Sequence, residues 1–190
     1  MRYYQTEAQK QALKKMSNAE IFNAICTRKM TGLCYHDGLY KTMVWLGLAA
    51  FAKQQEEHLE EESESLRETE AFSVEHLGVI PEAFPEKVDV DPFKIFGKVQ
   101  RVQPSRGDKE KVLSRTFSDW LTWETETNNF LKDIHDELEN RKCTTQVLFL
   151  EDLIEDNDEE IKNLKQQMLE LADVDYDLKY IHKLQYDLED

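Results

Sequence analysis

Cysteine, proline and long apolar runs are all scarce in this chain of 190 residues, and each shortage removes a class of protein. The three cysteines, Cys26, Cys34 and Cys143, are an odd number and form no CxxC pair, which argues against a disulfide framework or a zinc knuckle and for a reducing, cytoplasmic setting. The longest apolar run, MVWLGLAAFA at residues 43–52, falls far short of the roughly 20 residues a membrane helix needs. No apolar stretch with a small-residue cleavage site follows the first methionine, so no signal peptide is read there. Gly-rich phosphate loops, nucleophile elbows and zinc signatures are missing as well.

Charge of one sign is also short over most of the chain. Residues 1–53 carry eight Lys/Arg against three Asp/Glu, whereas residues 54–190 carry 16 against 36. Nucleic-acid binders present a basic face, and this balance is the opposite. The expected partners are therefore cationic: a metal ion, a basic protein, or the chain's own basic N-terminal segment. A hydrophobic share of 40% is enough to bury a core, so one globular domain is expected in place of a disordered polyanion.

All four prolines lie within residues 81–104, and Gly78, Gly97 and Gly107 flank or interrupt the same stretch. Because proline removes a backbone donor and breaks helix interiors, this stretch divides two helix-permissive parts that are rich in Leu, Glu, Lys, Gln and Ala. The reading is all-α: an N-terminal arm at 1–16, a helix pair over 17–77, a crossover at 78–107, a second pair over 108–171 and a short fifth helix at 172–190. SNAE at 17–20 is a capping box that starts the first helix, and WLGL marks its end, with Gly38 as a site for a kink. Asp108 is the expected cap of the third helix. FPEKVDVDPFKIFGKV, within the crossover, pairs as a short hairpin or packs across the bundle.

Polar residues interrupt each apolar stripe. In FSDWLTWETETNNF, three- and four-residue steps from Trp120 and Leu121 land on Glu124 and then on Thr127 and Asn128. Glu62 falls between Leu59 and Leu66, Asn157 and Asp158 fill the gap between Ile154 and Ile161, and His36 lies between Leu33 and Leu39. A buried carboxylate without a partner either protonates or draws in a cation. Several of them meeting with a histidine would suit iron, manganese or zinc. His58 and Glu62, four apart, share a helix face and either bind a metal together or form a surface ion pair.

FAKQQEEHLEEESE at 51–64 resembles the second-helix segment of the ferritin-like superfamily, and FLEDLIEDNDEEIKNL at 149–164 resembles its fourth helix. The resemblance implies a ferritin-like four-helix bundle with a long crossover connection. It also implies a carboxylate site that binds, oxidises or stores iron or manganese, with Tyr35 or Tyr40 nearby as an electron source. Glu62 would correspond to the second-helix metal glutamate, Glu124 to the third-helix one, and Asn157 or Asp158 to the fourth-helix ligand. The metal set is then Glu62, Glu124, Asp158 and His36, and a homo-oligomer is expected. The sequence departs from the family where Ser65 stands in place of the histidine three residues after Glu62. The competing expectations are an acidic interaction protein that imitates a polyanion or grips a basic partner, and a purely structural bundle.

Overall fold

A computed structural model describes residues 7–87 and 104–187, and these residues are helical without a strand. The helices are α1 (Glu7–Leu13), α2 (Asn18–Leu46), α3 (Ala49–Phe72), α4 (Arg106–Asn140), α5 (Thr144–Asp173) and α6 (Leu178–Asp187). A single π-type turn, Ser73–Leu77, extends α3. The hairpin expected within 84–99 lies largely outside the described residues. None of the described helices is long and apolar enough to cross a membrane.

Local chemistry sets the helix ends. Ser17 accepts from the Glu20 amide at 3.2 Å, and Glu20 accepts from the Ser17 amide at 2.7 Å, so the expected capping box opens α2. Gly47 closes it at φ 80°, a left-handed conformation that favours glycine. The helix runs through Gly38, whose carbonyl accepts from the Thr42 hydroxyl at 2.9 Å. At the start of α4 the cap is Ser105, two residues before Gly107. Asp108, expected to be the cap itself, is the third residue of that helix and reaches back to the Ser105 amide at 3.2 Å. A three-residue step between a serine and an acid was the signal, as at Ser17.

Two apolar clusters form the ends of the molecule. One joins Ile21, Phe22 and Ile25 of α2 to Phe130, Ile134 and Leu138 of α4 and Leu150 and Leu153 of α5, with Leu13 of α1 and the half-buried Phe72 of α3 packed beside them. The other joins Leu39, Met43 and Leu46 of α2 to Ala52, Val112, Phe117, Trp120, Leu164 and Leu171, with Leu178 and Ile181 docking α6. Ile181 is buried, whereas its neighbour Tyr180 is exposed. The order of these residues along the chain gives the helix directions: α2 and α5 run from the Phe22 end to the Leu46 end, and α3 and α4 run the other way.

Between the clusters lies a layer of buried polar side chains: Arg28, Thr31 and His36 from α2, Gln55 from α3, Glu124, Thr127 and Asn128 from α4, and Asn157 from α5. Gly32 belongs to the same height, and a Cβ there would stand 3.3 Å from the Glu62 carboxyl, so α2 and α3 approach closely at this point. The polar interruptions of the four stripes therefore fall at one level of the fold.

Candidate metal centre

Glu124 is 1% exposed and is held from three directions. One turn earlier on its own helix, the Trp120 indole donates to Oε1 at 3.1 Å, and from α5 the Asn157 amide donates to Oε2 at 3.0 Å. From α2, His36 Nε2 stands 3.5 Å from Oε1. The other His36 nitrogen, Nδ1, meets Gln55 Oε1 of α3 at 3.0 Å, so that ring nitrogen donates. The carboxylate beside Trp120 is thus a fixed charge at the centre of a four-helix network.

Burial opposes a charge on His36, but the hydrogen bond and charge of Glu124, with Glu160 and the Gln55 acceptor, outweigh it and raise its pKa to about 9. His36 is therefore an imidazolium at neutral pH, the internal counter-ion of Glu124. His58 behaves oppositely: burial, and then the charge of His36, lower it to about 4 and keep it neutral. The two rings stack with centroids 5.3 Å apart, and Trp120 presents itself edgewise to both. Glu160 is pushed well above the usual carboxylate range, first by burial and then by the charge of Glu124, so it retains its proton.

The ligand atoms of His36, Glu124 and Glu160 all lie within 4.8 Å of one another. Two ligands each about 2.1 Å from a tetrahedral ion stand about 3.4 Å apart. The 3.5 Å between His36 Nε2 and Glu124 Oε1 fits that spacing. Several oxygens around the site lack hydrogen-bond partners: Glu160 Oε1 is sealed from solvent and sits 3.5 Å from His58 Nδ1 without the alignment of a hydrogen bond. Asn157 Oδ1, on a residue that is 9% exposed, is also unpartnered. Imidazole with two carboxylates and spare oxygens suits a first-row divalent ion.

The sequence-predicted residues are not all brought together. His36 and Glu124 meet as expected. Asp158 does not join them, because it faces outward, accepts from the Asn128 amide, and holds Lys132 Nζ at 3.0 Å with its side chain 52% exposed. Its neighbour Asn157 faces inward instead. Glu62 lies toward the interior, but it stands 3.5 Å from Lys29 and touches the centre only through its charge, which helps to raise the pKa of Glu160. His58 pairs with Glu61 at 3.4 Å and Glu160 at 3.5 Å, and no ion pair with Glu62 forms. Tyr35 is buried with an unpartnered hydroxyl, stacked on Trp123 at 4.6 Å and edge-on to His36 at 5.8 Å. Tyr40 is half-buried in the Leu46-end cluster.

Glu160 is the residue that sequence reasoning missed. Along an α-helix it lies about 60° from Asn157, whereas Asp158 lies about 100° away. The steps Leu153, Asn157, Glu160, Leu164 carried the signal, but the five consecutive polar residues of DNDEE obscured the register. A second group, His135, Asp136 and Glu139, also gathers its ligand atoms, but near the exposed surface of α4. No family model, curated protein or solved structure matches the chain.

Proposed function

We propose that this protein binds a first-row transition ion, iron or manganese, between His36, Glu124 and Glu160 in the polar layer of a ferritin-like four-helix bundle. The observation that carries the reading is the convergence of one imidazole and two carboxyl groups from three helices, with His36 and Glu124 buried and Glu160 half-buried. Burying such groups is unfavourable unless a cation or protons compensate them.

The bundle assignment is supported by the helix directions. With α3 and α4 running the same way, the connection between them must return along the length of the molecule. Its described part begins that return: Ala83 packs on Cys26 and Leu66, and the Glu86 amide donates to Thr31 Oγ1 at 2.9 Å.

Each residue then has a role. His36, Glu124 and Glu160 hold the ion, while Trp120 and Asn157 fix the Glu124 carboxylate through its two oxygens. When bound, iron or manganese supplies one-electron redox chemistry. Tyr35, edge-on to His36 at 5.8 Å, would be the nearby electron source, and burial and then the charge of Glu124 keep its phenol protonated. Loading requires His36 and Glu160 to release their protons.

The test is elemental analysis of protein purified without chelator, followed by titration with Co(II), Fe(II) and Mn(II). Wild type is expected to take up one ion per chain and Glu124→Gln/Glu160→Gln none. A metal-free wild type that ignores all three ions sinks the proposal.

A further inference from the structure

The approaches to the centre differ sharply. On the α2/α4 side, Arg28 lies over the Trp123 ring at 3.4 Å and Tyr35 stacks on the same indole, so that face is closed and guarded by a positive charge. Between α3 and α5, a groove of about 420 Å³ runs inward instead. Its rim carries the exposed carboxylates Glu61, Asp156 and Glu159, and its inner wall is made by His58, Glu160 and Trp120.

Two features connect groove and centre. Glu160 belongs to both, lining the groove and lying within 4.8 Å of the His36 and Glu124 ligand atoms. Deep in the groove, His58 Nε2 and Glu160 Oε1 are sealed from solvent and have no hydrogen-bond partners. An imidazole nitrogen and a carboxyl oxygen without hydrogen-bond partners are atoms that a passing cation would use. At the rim, burial and then the charges of Glu57, Asp156 and Glu62 raise the pKa of Glu61, against a smaller opposing effect of His36.

We propose that the α3/α5 groove is the loading path by which a divalent cation reaches the centre, drawn in by Glu61, Asp156 and Glu159 and passed on by His58 and Glu160. The inference rests on the metal-binding reading, and rate and equilibrium measurements separate the two. Co(II) serves as the probe, its visible absorption reporting equilibrium binding and its quenching of Trp120 fluorescence reporting the rate of arrival.

In stopped-flow mixing at low ionic strength, Glu61→Gln/Asp156→Asn/Glu159→Gln is expected to bind as many ions at saturation as wild type. Its association rate is expected to fall about tenfold, the low end of electrostatic focusing by a charged cleft. Added salt should narrow the gap, because the rim is exposed. Asn163→Arg, which places a cation in the same groove, should slow loading likewise. The control, Asp136→Asn/Glu139→Gln/Glu151→Gln, removes equal charge on α4 and α5 outside the groove and should load at the wild-type rate. An unchanged rate in the groove variants, or an equal slowing in the control, overturns the path. Failure of wild type to bind Co(II) at equilibrium overturns the metal-binding reading itself.

Discussion

Two polar nodes occupy the middle layer, one around Arg28 and one around Glu124, and they solve the problem of buried charge differently. Arg28 is 3% exposed, yet its guanidinium donates to Thr127 Oγ1 at 2.9 Å and to the Trp123 carbonyl at 3.0 Å while stacking on the Trp123 ring. That node is built from fixed acceptors and an aromatic face, and it needs no exchangeable ligand. Around Glu124, by contrast, His36 supplies the positive charge through a proton that it can lose, while Glu160, Asn157 and His58 keep unpartnered atoms. The first arrangement is a structural tie, and the second is the one to which the proposed reading assigns an ion. Burial alone does not mark a functional group; unspent hydrogen-bonding capacity beside it does.

The sharpest way to break this distinction is at Glu124. Glu124→Gln keeps the shape and the acceptor for Trp120 but removes the charge that holds the His36 proton. Co(II) affinity is expected to fall by at least about 100-fold, since a ligand matters more than the supporting groups whose loss costs 10–100-fold. Stability at pH 7 should drop by about 2–3 kcal/mol, because a buried imidazolium loses its counter-ion. Retention of wild-type affinity would remove Glu124 from the centre.

At the other node the pattern should invert. Arg28→Met removes a guanidinium but keeps an apolar stem, leaving Thr127 Oγ1 without its donor while the Trp123 carbonyl keeps only the Thr127 hydroxyl. A loss of about 2–3 kcal/mol is expected in urea unfolding, combining the lost stacking with unmade hydrogen bonds. Co(II) uptake by the folded fraction should be unchanged. If it fell as steeply as in Glu124→Gln, the two nodes would be one network.

The all-helical character and the Ser17 capping box were legible because both follow from local propensity and spacing. His36 and Glu124 were legible for a different reason, as polar interruptions of otherwise apolar stripes. Glu62 and Asp158 were chosen by the same logic, but acidic runs surround them, and a run offers several residues separated by one helical step. Only packing decides which of them faces inward, and the structure turns Asp158 to Lys132 and Glu160 to the centre. His58 lay in such a run too, and its neutrality depends on burial and then on the nearby charge of His36, relations no single helix contains.

Acid and base should separate the nodes next, in protein treated with chelator. The raised pKa of His36 makes its contribution complete below about 6.5, its unfolded value, and lost as pH rises through about 9. Glu160, also raised, adds a loss in the same alkaline direction. His58 is lowered, so its contribution is present above 6.5 and lost as pH falls through about 4. Stability should therefore peak near pH 6 and fall by about 2–3 kcal/mol toward pH 9, an order-of-magnitude figure for a largely buried group. His36→Gln/Glu124→Gln should flatten the alkaline limb, and Arg28→Met should shift the whole curve without changing its shape. Saturating Co(II) should reverse the trend, because metal affinity grows as its ligands lose protons. An alkaline limb of undiminished size in the double variant would place the responsible group elsewhere, since Glu160 alone accounts only for a remainder.

The smallest effect belongs to the second histidine cluster. His135, Asp136 and Glu139 gather ligand atoms as closely as the central triad does, and His135 also stands 3.6 Å from Glu151. The Asp136 and Glu151 side chains, however, are 76% and 55% exposed, so water already solvates their charge and no cation is required. Asp136→Asn/Glu139→Gln should change unfolding free energy by less than about 0.5 kcal/mol. It should also leave the number of Co(II) ions bound per chain at the wild-type value. Loss of an ion in this variant would show that proximity of ligand atoms governs binding here irrespective of burial, and the distinction between closed and open nodes would then carry no functional meaning.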